Sequence, residues 1–250
     1  MKFLNPIKHE KKIPILMHIE ELRYTLICCL ISLILGCIVV SIFFPYFTNL
    51  LNWPLKQCIK ENPDLLKGLV TTTPMDIFSV LLQICCLAGF SLSLPFIIYF
   101  LTIFVIPGLN KSERKILIPI CLSLFILFII GALFSYFLII PSSLSVAMYL
   151  NKVFGFQLIW SASHYYGLIA WLTLGIGFCF ELPLLIVLLV FLQILNIKHL
   201  KRHRRHAIII ILLIAAFITP GGDPFTLGIL SIPLYILYES TILFCKFLKN

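Results

Sequence analysis

Three carboxylates could do chemistry in a sequence that has only ten acidic residues among 250. Glu181 lies in the otherwise apolar stretch GFCFELPLLIVLLVF, whereas Glu21 and Glu113 lie beside basic residues in short polar segments. A charged carboxylate at mid-membrane costs roughly 2.5–3.5 kcal/mol on insertion scales. We therefore expect Glu181 to be protonated or paired, either as a buried acid bonded to a neighbouring span or as a functional group.

Glu21 and Glu113 have the chemistry to bind a pair of guanidinium groups, because arginine side chains bind carboxylates bidentately. Glu21 lies in MHIEELRYTL, an amphipathic segment that leads into the first apolar run. Glu113 follows the helix-stopping pair Pro107-Gly108, so alone it is most simply a first-turn acid stabilised by the helix dipole. Glu20 faces Arg23 and is most simply its ion-pair partner.

The composition indicates that these carboxylates belong to a protein embedded in a membrane. The chain is 61% hydrophobic and 12% charged, with a mean hydropathy of +1.09, which is too apolar for a soluble domain. A helix needs ~20 apolar residues to cross the ~30 Å hydrocarbon core. We predict an all-α integral membrane protein with six transmembrane helices in one membrane domain of residues 1–250. Its apolar runs are about 24–44, 77–106, 116–140, 165–195, 207–219 and 225–247.

The basic residues orient these spans. Fifteen of the 19 Lys and Arg lie on the side of the two termini, so the positive-inside rule predicts that both termini are cytoplasmic. Residues 1–22 are too polar for a cleavable signal and are predicted to be a cytoplasmic segment. This placement explains the net charge of +9 without nucleic acid.

No metal or cofactor is expected. The segment KHLKRHRRH places His199, His203 and His206 at helical spacing, but so many neighbouring cations disfavour a metal ion there. The nine cysteines form no CxxC pair and lie mostly in apolar runs.

The neighbours of Glu181 predict a helix–helix contact. Thr173 and Gly177 have a small-xxx-small spacing that lets another helix approach closely, and Phe178 lies on the neighbouring face. We therefore interpret Glu181 as a polar docking point for a partner helix.

Five motifs in order resemble the TatC family, the core subunit of the twin-arginine protein translocase. They are MHIEELRYTL, IPGLNKSERK, GALFSYFLIIP, GFCFELPLLIVLL and FITPGGDPFT. The resemblance implies a receptor for twin-arginine signal peptides that exports folded proteins by the proton-motive force and is not an enzyme. It also implies a concave bundle with short fifth and sixth spans, TatA-like and TatB-like single-span partners, and a homo-oligomer within a receptor complex. A bacterial inner membrane is the default location, and an organellar membrane is the less favoured alternative.

The resemblance also assigns residues. Glu21 and Glu113 match the acids that hold the arginine pair, and Glu181 matches the intramembrane acid at which partner helices dock. Because Glu20 directly precedes Glu21, either acid could contact the arginines; we assign Glu21, which stands directly before Leu-Arg. Phe104 supplies the aromatic surface where the family has tryptophan. Other residues of the two cytoplasmic motifs are Leu22, Arg23, Pro107, Leu109 and Arg114.

Two other classes fit the sequence less well. A secondary transporter of a small solute usually has two similar halves and several intramembrane polar groups, whereas this chain has no internal repeat and chiefly Glu181. An intramembrane protease needs a serine and a histidine within spans, but Ser142, Ser143 and His164 are predicted to lie in the outer loop.

Overall fold

The computed structural model describes residues 15–61, 68–106, 111–156, 158–191, 195, 197–219 and 223–249. Within these residues lie ten α-helices, one π-helical segment and two short strands. In chain order they are α1 (Ile15–Ile42), α2 (Phe44–Leu51), α3 (Trp53–Glu61), β1 (Leu69–Val70), α4 (Asp76–Val105), α5 (Lys111–Phe134), the π segment (Ser135–Ile139), α6 (Ile140–Phe154), β2 (Trp160–Ser161), α7 (Ala162–Phe191), α8 (Ile197–Arg202), α9 (Arg204–Ile218) and α10 (Pro224–Lys249).

Five helical stretches in the described part of the chain are long and apolar enough to cross a membrane. They are Ile19–Ile42, Asp76–Phe104, Pro119–Phe154, Ala162–Val190 and Pro224–Lys246. These five correspond to five of the six predicted runs. The remaining predicted run, 207–219, falls in α9, which has 15 residues and rises about 22 Å. The count of six spans and the cytoplasmic placement of both termini stay predictions.

One expectation about helix length is wrong. The sixth helix is not short, because α10 continues through Pro233 and has 26 residues, a rise of about 39 Å. The helical stretch that contains the third predicted run continues past residue 140 to Phe154. Pro141 stands in the first turn of α6, where proline needs no backbone donor, so Ser142 and Ser143 are helical.

Close glycine contacts hold α1 against α4. A Cβ atom on Gly36 would lie 2.6 Å from the carbonyl oxygen of Gly89, and one on Gly89 would lie 2.8 Å from the Cys37 sulfur. The Cys37 thiol also donates to the Cys85 carbonyl at 3.4 Å. Residue numbers thus rise along α1 as they fall along α4, so the two helices are antiparallel.

Helix α7 forms the centre of the bundle. It contacts α4, α5, α9 and α10, and its fully buried residues include Ile169, Leu172 and Ile176. The indole N–H of Trp171 on α7 donates to the carbonyl of Ile218 at 3.1 Å, which fixes the end of α9. The exposed side of α9 is apolar, as expected of a helix in contact with lipid.

A cap at one end of the bundle joins the segment between α1 and α4 to the segment before α7. Strand β1 pairs in parallel with β2, with Leu69 opposite Trp160. The Asp76 carboxylate accepts from the backbone N–H of Thr72 at 2.6 Å and of Thr73 at 3.0 Å. The Ser161 hydroxyl donates to the same carboxylate at 3.4 Å. Asp76 thus ties the start of α4 to its own loop and to β2.

Candidate functional site

Glu21 lies in the second turn of α1, at the end of the bundle opposite to the cap. Its side chain is half-buried, whereas Glu20, Leu22 and Arg23 are exposed. The Thr25 hydroxyl donates to the Glu21 carbonyl at 2.9 Å and is itself buried. The acid that the motif assigns is therefore the less exposed of the two neighbouring acids.

The antiparallel register of α1 and α4 brings Glu21 and Phe104 to the same end of the bundle. Glu21 lies fifteen residues before Gly36, and Phe104 lies fifteen residues after Gly89. Because Gly36 and Gly89 touch, both residues lie about 22 Å along their helices from one crossing point. Phe104 is half-buried at the last turn of α4.

Helix α5 begins at Lys111, which places the backbone of Glu113 and Arg114 in its first turn. This is the position predicted for Glu113. The side chains of Glu113 and Arg114 lie outside the described part of the structure, as do Pro107 and Leu109 entirely. Their predicted roles stay predictions.

An apolar groove lies along α1 beside Glu21. It has a volume of about 410 Å³ and contains one charged residue among its lining side chains. The lining residues are Ile19, Leu22, Arg23, Leu26, Ile27 and Leu30. Leu22 and Arg23 are predicted from the sequence as site residues but the groove is not, because a helical face next to a membrane is apolar whether or not it is grooved.

The small-residue spacing before Glu181 is occupied within the chain. A Cβ atom on Gly177 would lie 2.7 Å from the Phe128 ring of α5, and Gly177 is buried against that helix. Thr173, one turn away, is only 8% exposed. The helix that approaches Gly177 closely is therefore α5 of the same chain, and both Thr173 and Gly177 are buried within the bundle.

Glu181 lies at the edge of this contact. Its carboxyl group is half-buried beside the Phe128 backbone, and its Oε2 atom is buried with no hydrogen-bond partner among the described residues. Phe178 is 51% exposed, and its ring lies 5.4 Å from that of Phe90 and 5.8 Å from that of Phe128. Phe178 and Glu181 thus lie at the boundary between the interior of the bundle and an exposed apolar surface.

Two further polar contacts were not predicted from the sequence. Arg204, the first residue of α9, forms an ion pair with Glu239 of α10 at 2.9 Å, and Tyr235 donates to the same carboxylate at 3.2 Å. Asp223 caps α10 by accepting from the backbone N–H of Thr226 at 2.8 Å. The second contact has a sequence signal, because Asp-Pro-x-Thr is typical of a helix start.

The three histidines of the basic segment lie side by side across the break between α8 and α9, at which His203 stands. The rings of His199 and His203 lie 4.4 Å apart, and those of His203 and His206 lie 5.3 Å apart. Within the described residues, no three His, Cys, Asp or Glu side chains are grouped as metal ligands.

Comparison with known proteins gives consistent matches over most of the chain. The family described as Sec-independent protein translocase protein (TatC) matches residues 17–233. A Sec-independent protein translocase protein TatC from Aquifex aeolicus is 31% identical over 237 residues, 93% of this chain and 95% of the relative. An uncharacterized tatC-like protein, ycf43, from Gracilaria tenuistipitata var. liui is 30% identical over 245 residues, 98% of each chain. A chloroplastic TATC protein of Pisum sativum is 31% identical over 94% of this chain and 66% of its own length.

A solved structure agrees in fold. The crystal structure of the twin arginine translocase receptor TatC in DDM superposes with a TM-score of 0.78 at 30% identity, covering 91% of this chain and 98% of that chain. Together, the fold and its apolar helices define a multi-pass membrane protein. The chain belongs to the TatC family of Sec-independent protein translocase proteins. It is thus a component of twin-arginine protein transport, in a family that is not one of enzymes.

Proposed function

We propose that this protein is the signal-peptide receptor and core of a twin-arginine translocase that moves folded proteins across a membrane by the proton-motive force. The observation that carries the proposal is the matched register of α1 and α4. It brings Glu21, Phe104 and the start of α5, which bears Glu113, to one end of the bundle.

In this proposal, Glu21 and Glu113 each bind one guanidinium group of the signal peptide's arginine pair. Such charge-assisted bonds are strongest where water is partly excluded, and the half-burial of Glu21 supplies part of that exclusion. Arg23 and Arg114 neighbour the two acids in sequence and keep the surface from being uniformly acidic. Phe104, Pro107 and Leu109 provide apolar surface around the arginine pair.

The groove along α1 extends this interface. Signal peptides carry an apolar region after their charged region. The groove begins within one turn of Glu21 and is lined almost entirely by apolar side chains, among them Leu22, Leu26 and Leu30. A peptide whose arginines contact Glu21 would place its apolar region in this groove.

We further propose that Glu181 and Phe178 form the surface at which TatA-like and TatB-like single-span helices dock. Phe178 is exposed, and the buried Oε2 atom of Glu181 has no partner in the described residues, so a hydrogen-bond donor on a docking helix would satisfy it. Gly177 supports this surface from the interior, because it packs α7 against α5, and Thr173 is buried one turn away from it. Several copies of the chain assemble with these partners in a receptor complex.

Both termini are cytoplasmic in this proposal, so the surface around Glu21 faces substrates before export. The membrane is either a bacterial inner membrane or an organellar one, because the relatives include bacterial proteins and a chloroplastic one.

The test is site-specific photocrosslinking of a twin-arginine signal peptide, with the photoreactive group beside the arginine pair. Wild-type protein, Glu21→Gln and Glu113→Gln are compared, with Glu20→Gln as the matched control that removes an adjacent, exposed charge. We expect crosslinking to fall in the first two variants and to stay near wild type in the control. Undiminished crosslinking in both Glu21→Gln and Glu113→Gln would rule out this arginine-binding site.

A further inference from the structure

Helix α6 carries an apolar face that no element of the described structure covers. Tyr149, Val153 and Phe154 are 61–67% exposed, although they lie beyond the third predicted run. The opposite face of α6 is buried, with Leu144 and Met148 packed in the core against α3. The exposed side of α6 is thus mainly apolar towards its C-terminal end, and it also carries Ser145 and Lys152.

The chain past α6 adds to this face. Gly155 adopts a left-handed conformation, with φ of 71°, and ends the helix. The backbone N–H of Phe156 then bonds to the Asn151 carbonyl at 3.0 Å. This turn folds Phe156 back so that its ring stacks on that of Phe154 at 6.1 Å. A glycine turn therefore fixes a rigid, exposed aromatic pair at the end of α6.

Length shows that this face lies beyond the hydrocarbon core. The helical stretch Pro119–Phe154 has 36 residues and would rise about 54 Å, against a core of ~30 Å. Pro119 to Phe137 alone accounts for about 27 Å of rise. At that level Trp53 stacks on Tyr136 at 5.7 Å and packs edge-on against Phe137 at 5.3 Å. Such aromatic clusters are typical of the membrane–water interface.

Exposed apolar residues lie both before and after the level of Tyr136 and Phe137. Leu122, Ile126, Ile130 and Phe137 form an exposed stripe along the membrane-spanning part. The π segment follows at Ser135–Ile139, and π-helical turns are positions where helices bend. Beyond it, Tyr149 and Val153 are exposed on α6. Exposed apolar side chains therefore lie on the span up to Phe137 and Leu138 and again on α6 from Tyr149 onwards, with the exposed Ser145 between them.

We infer that the exposed face of α6, together with Phe156, is a lipid-binding surface that lies in the membrane interface on the side of the cap. Amphipathic helices of this kind bury their apolar face ~5–10 Å into the boundary between headgroups and acyl chains. Tyr149, Phe154 and Phe156 have the amphipathic or aromatic character favoured at that depth, and the exposed Lys152 reaches the phosphates. The cap that contains α3 then lies directly above the lipid.

The test uses tryptophan reporters in single-copy nanodiscs of phosphatidylcholine. Val153→Trp and Phe154→Trp probe the apolar face, and Gln57→Trp, an exposed position on α3 in the same cap, is the matched control. The emission of the parent protein is subtracted to remove the signal of the native tryptophans. Quenching is compared between acrylamide in the water and lipids brominated at either the start or the middle of the acyl chains.

We expect the emission of Val153→Trp and Phe154→Trp to shift to shorter wavelengths than that of Gln57→Trp. It should be quenched by brominated lipid, more strongly when the bromine lies near the start of the chain, and only weakly by acrylamide. Gln57→Trp should show the reverse. Acrylamide quenching of both reporters to the extent seen for Gln57→Trp would overturn the inference. Protection from both quenchers would also overturn it, because protein and not lipid would then cover the face.

Discussion

Gly131 of α5 and Gly177 of α7 lie in direct contact, so that a Cβ atom on Gly131 would lie 3.1 Å from the Gly177 Cα and 2.9 Å from the Phe180 ring. These atoms belong to a backbone and to a side chain that is only 4% exposed, so a methyl group here would force its neighbours to shift. The crossing of α5 and α7 therefore tolerates no side chain at either position. Glu181 lies one turn further along α7, so the same contact fixes its position.

The first prediction concerns this crossing. Gly177→Ala should destabilise the protein by about 1–3 kcal/mol, because the added methyl would overlap the Phe128 ring. The measurement is thermal unfolding of the purified protein in detergent. Gly228→Ala is the matched control, since a Cβ atom there meets nothing within 4 Å and α10 should gain up to ~1 kcal/mol. Equal midpoints for the two variants would contradict the close contact.

A second prediction concerns the arginine pair. A double-mutant cycle between Glu21→Gln and an Arg→Lys change in the signal peptide should give a coupling energy of about 1.5–3 kcal/mol, the range for hydrogen bonds to charged groups. Binding of a labelled peptide to protein in nanodiscs provides the four affinities. The same cycle with Glu20→Gln should give a value near zero. A large coupling for Glu20 and none for Glu21 would transfer the role to the neighbouring acid.

Replacing Glu181 should raise the stability of the isolated protein and weaken its assembly with partners. Glu181→Leu removes a buried carboxyl oxygen that has no partner among the described residues, so the isolated protein should become more stable by about 1–3 kcal/mol. The same variant should retain less of a TatA-like or TatB-like partner in co-purification. Leu182→Ala, which changes an exposed apolar neighbour, is the control for loss of lipid-facing surface. A variant that is both less stable and fully competent in partner binding would contradict this account.

The cap should depend on Asp76. Asp76→Ala removes the acceptor for Thr72, Thr73 and Ser161, and should raise amide hydrogen exchange in β1 and at the start of α4. Asp76→Asn keeps one acceptor oxygen and should fall between Asp76→Ala and wild type. Exchange near Glu21, at the other end of the bundle, is the internal control. Unchanged exchange in β1 would mean that the strand pairing alone holds the cap.

The apolar runs predicted from the sequence account for five helices because a long uncharged segment has few alternatives to a membrane helix. What they could not show is where a helix stops outside the membrane. Residues Ile140 to Phe154 contain Pro141 and three serines, a composition typical of a loop, yet they form α6 because one face packs on α3. Tertiary contacts, and not local composition, therefore determine that this segment is helical.

The interpretation of Thr173 and Gly177 shows a similar limit. Their spacing correctly indicated a close helix contact, but spacing does not say whether the second helix belongs to the same chain. The facing residue, Gly131, is forty-six positions away in the sequence, and only the packing of α5 on α7 identifies it. Likewise, the ion pair of Arg204 with Glu239 depends on how α9 and α10 meet, which periodicity does not reveal.

Helix α9 has a consequence for assembly that involves no protein contact. If α9 crosses the membrane as the sequence predicts, its rise of about 22 Å falls short of the ~30 Å hydrocarbon core, and the lipids along its exposed apolar side would deform to match it. Such mismatch costs fractions of a kcal/mol per Å. Two copies that share one deformed lipid region deform fewer lipids in total than two separate copies. In the predicted six-span arrangement, the elasticity of the bilayer would thus favour self-association beside α9, with a strength that depends on the thickness of the surrounding membrane.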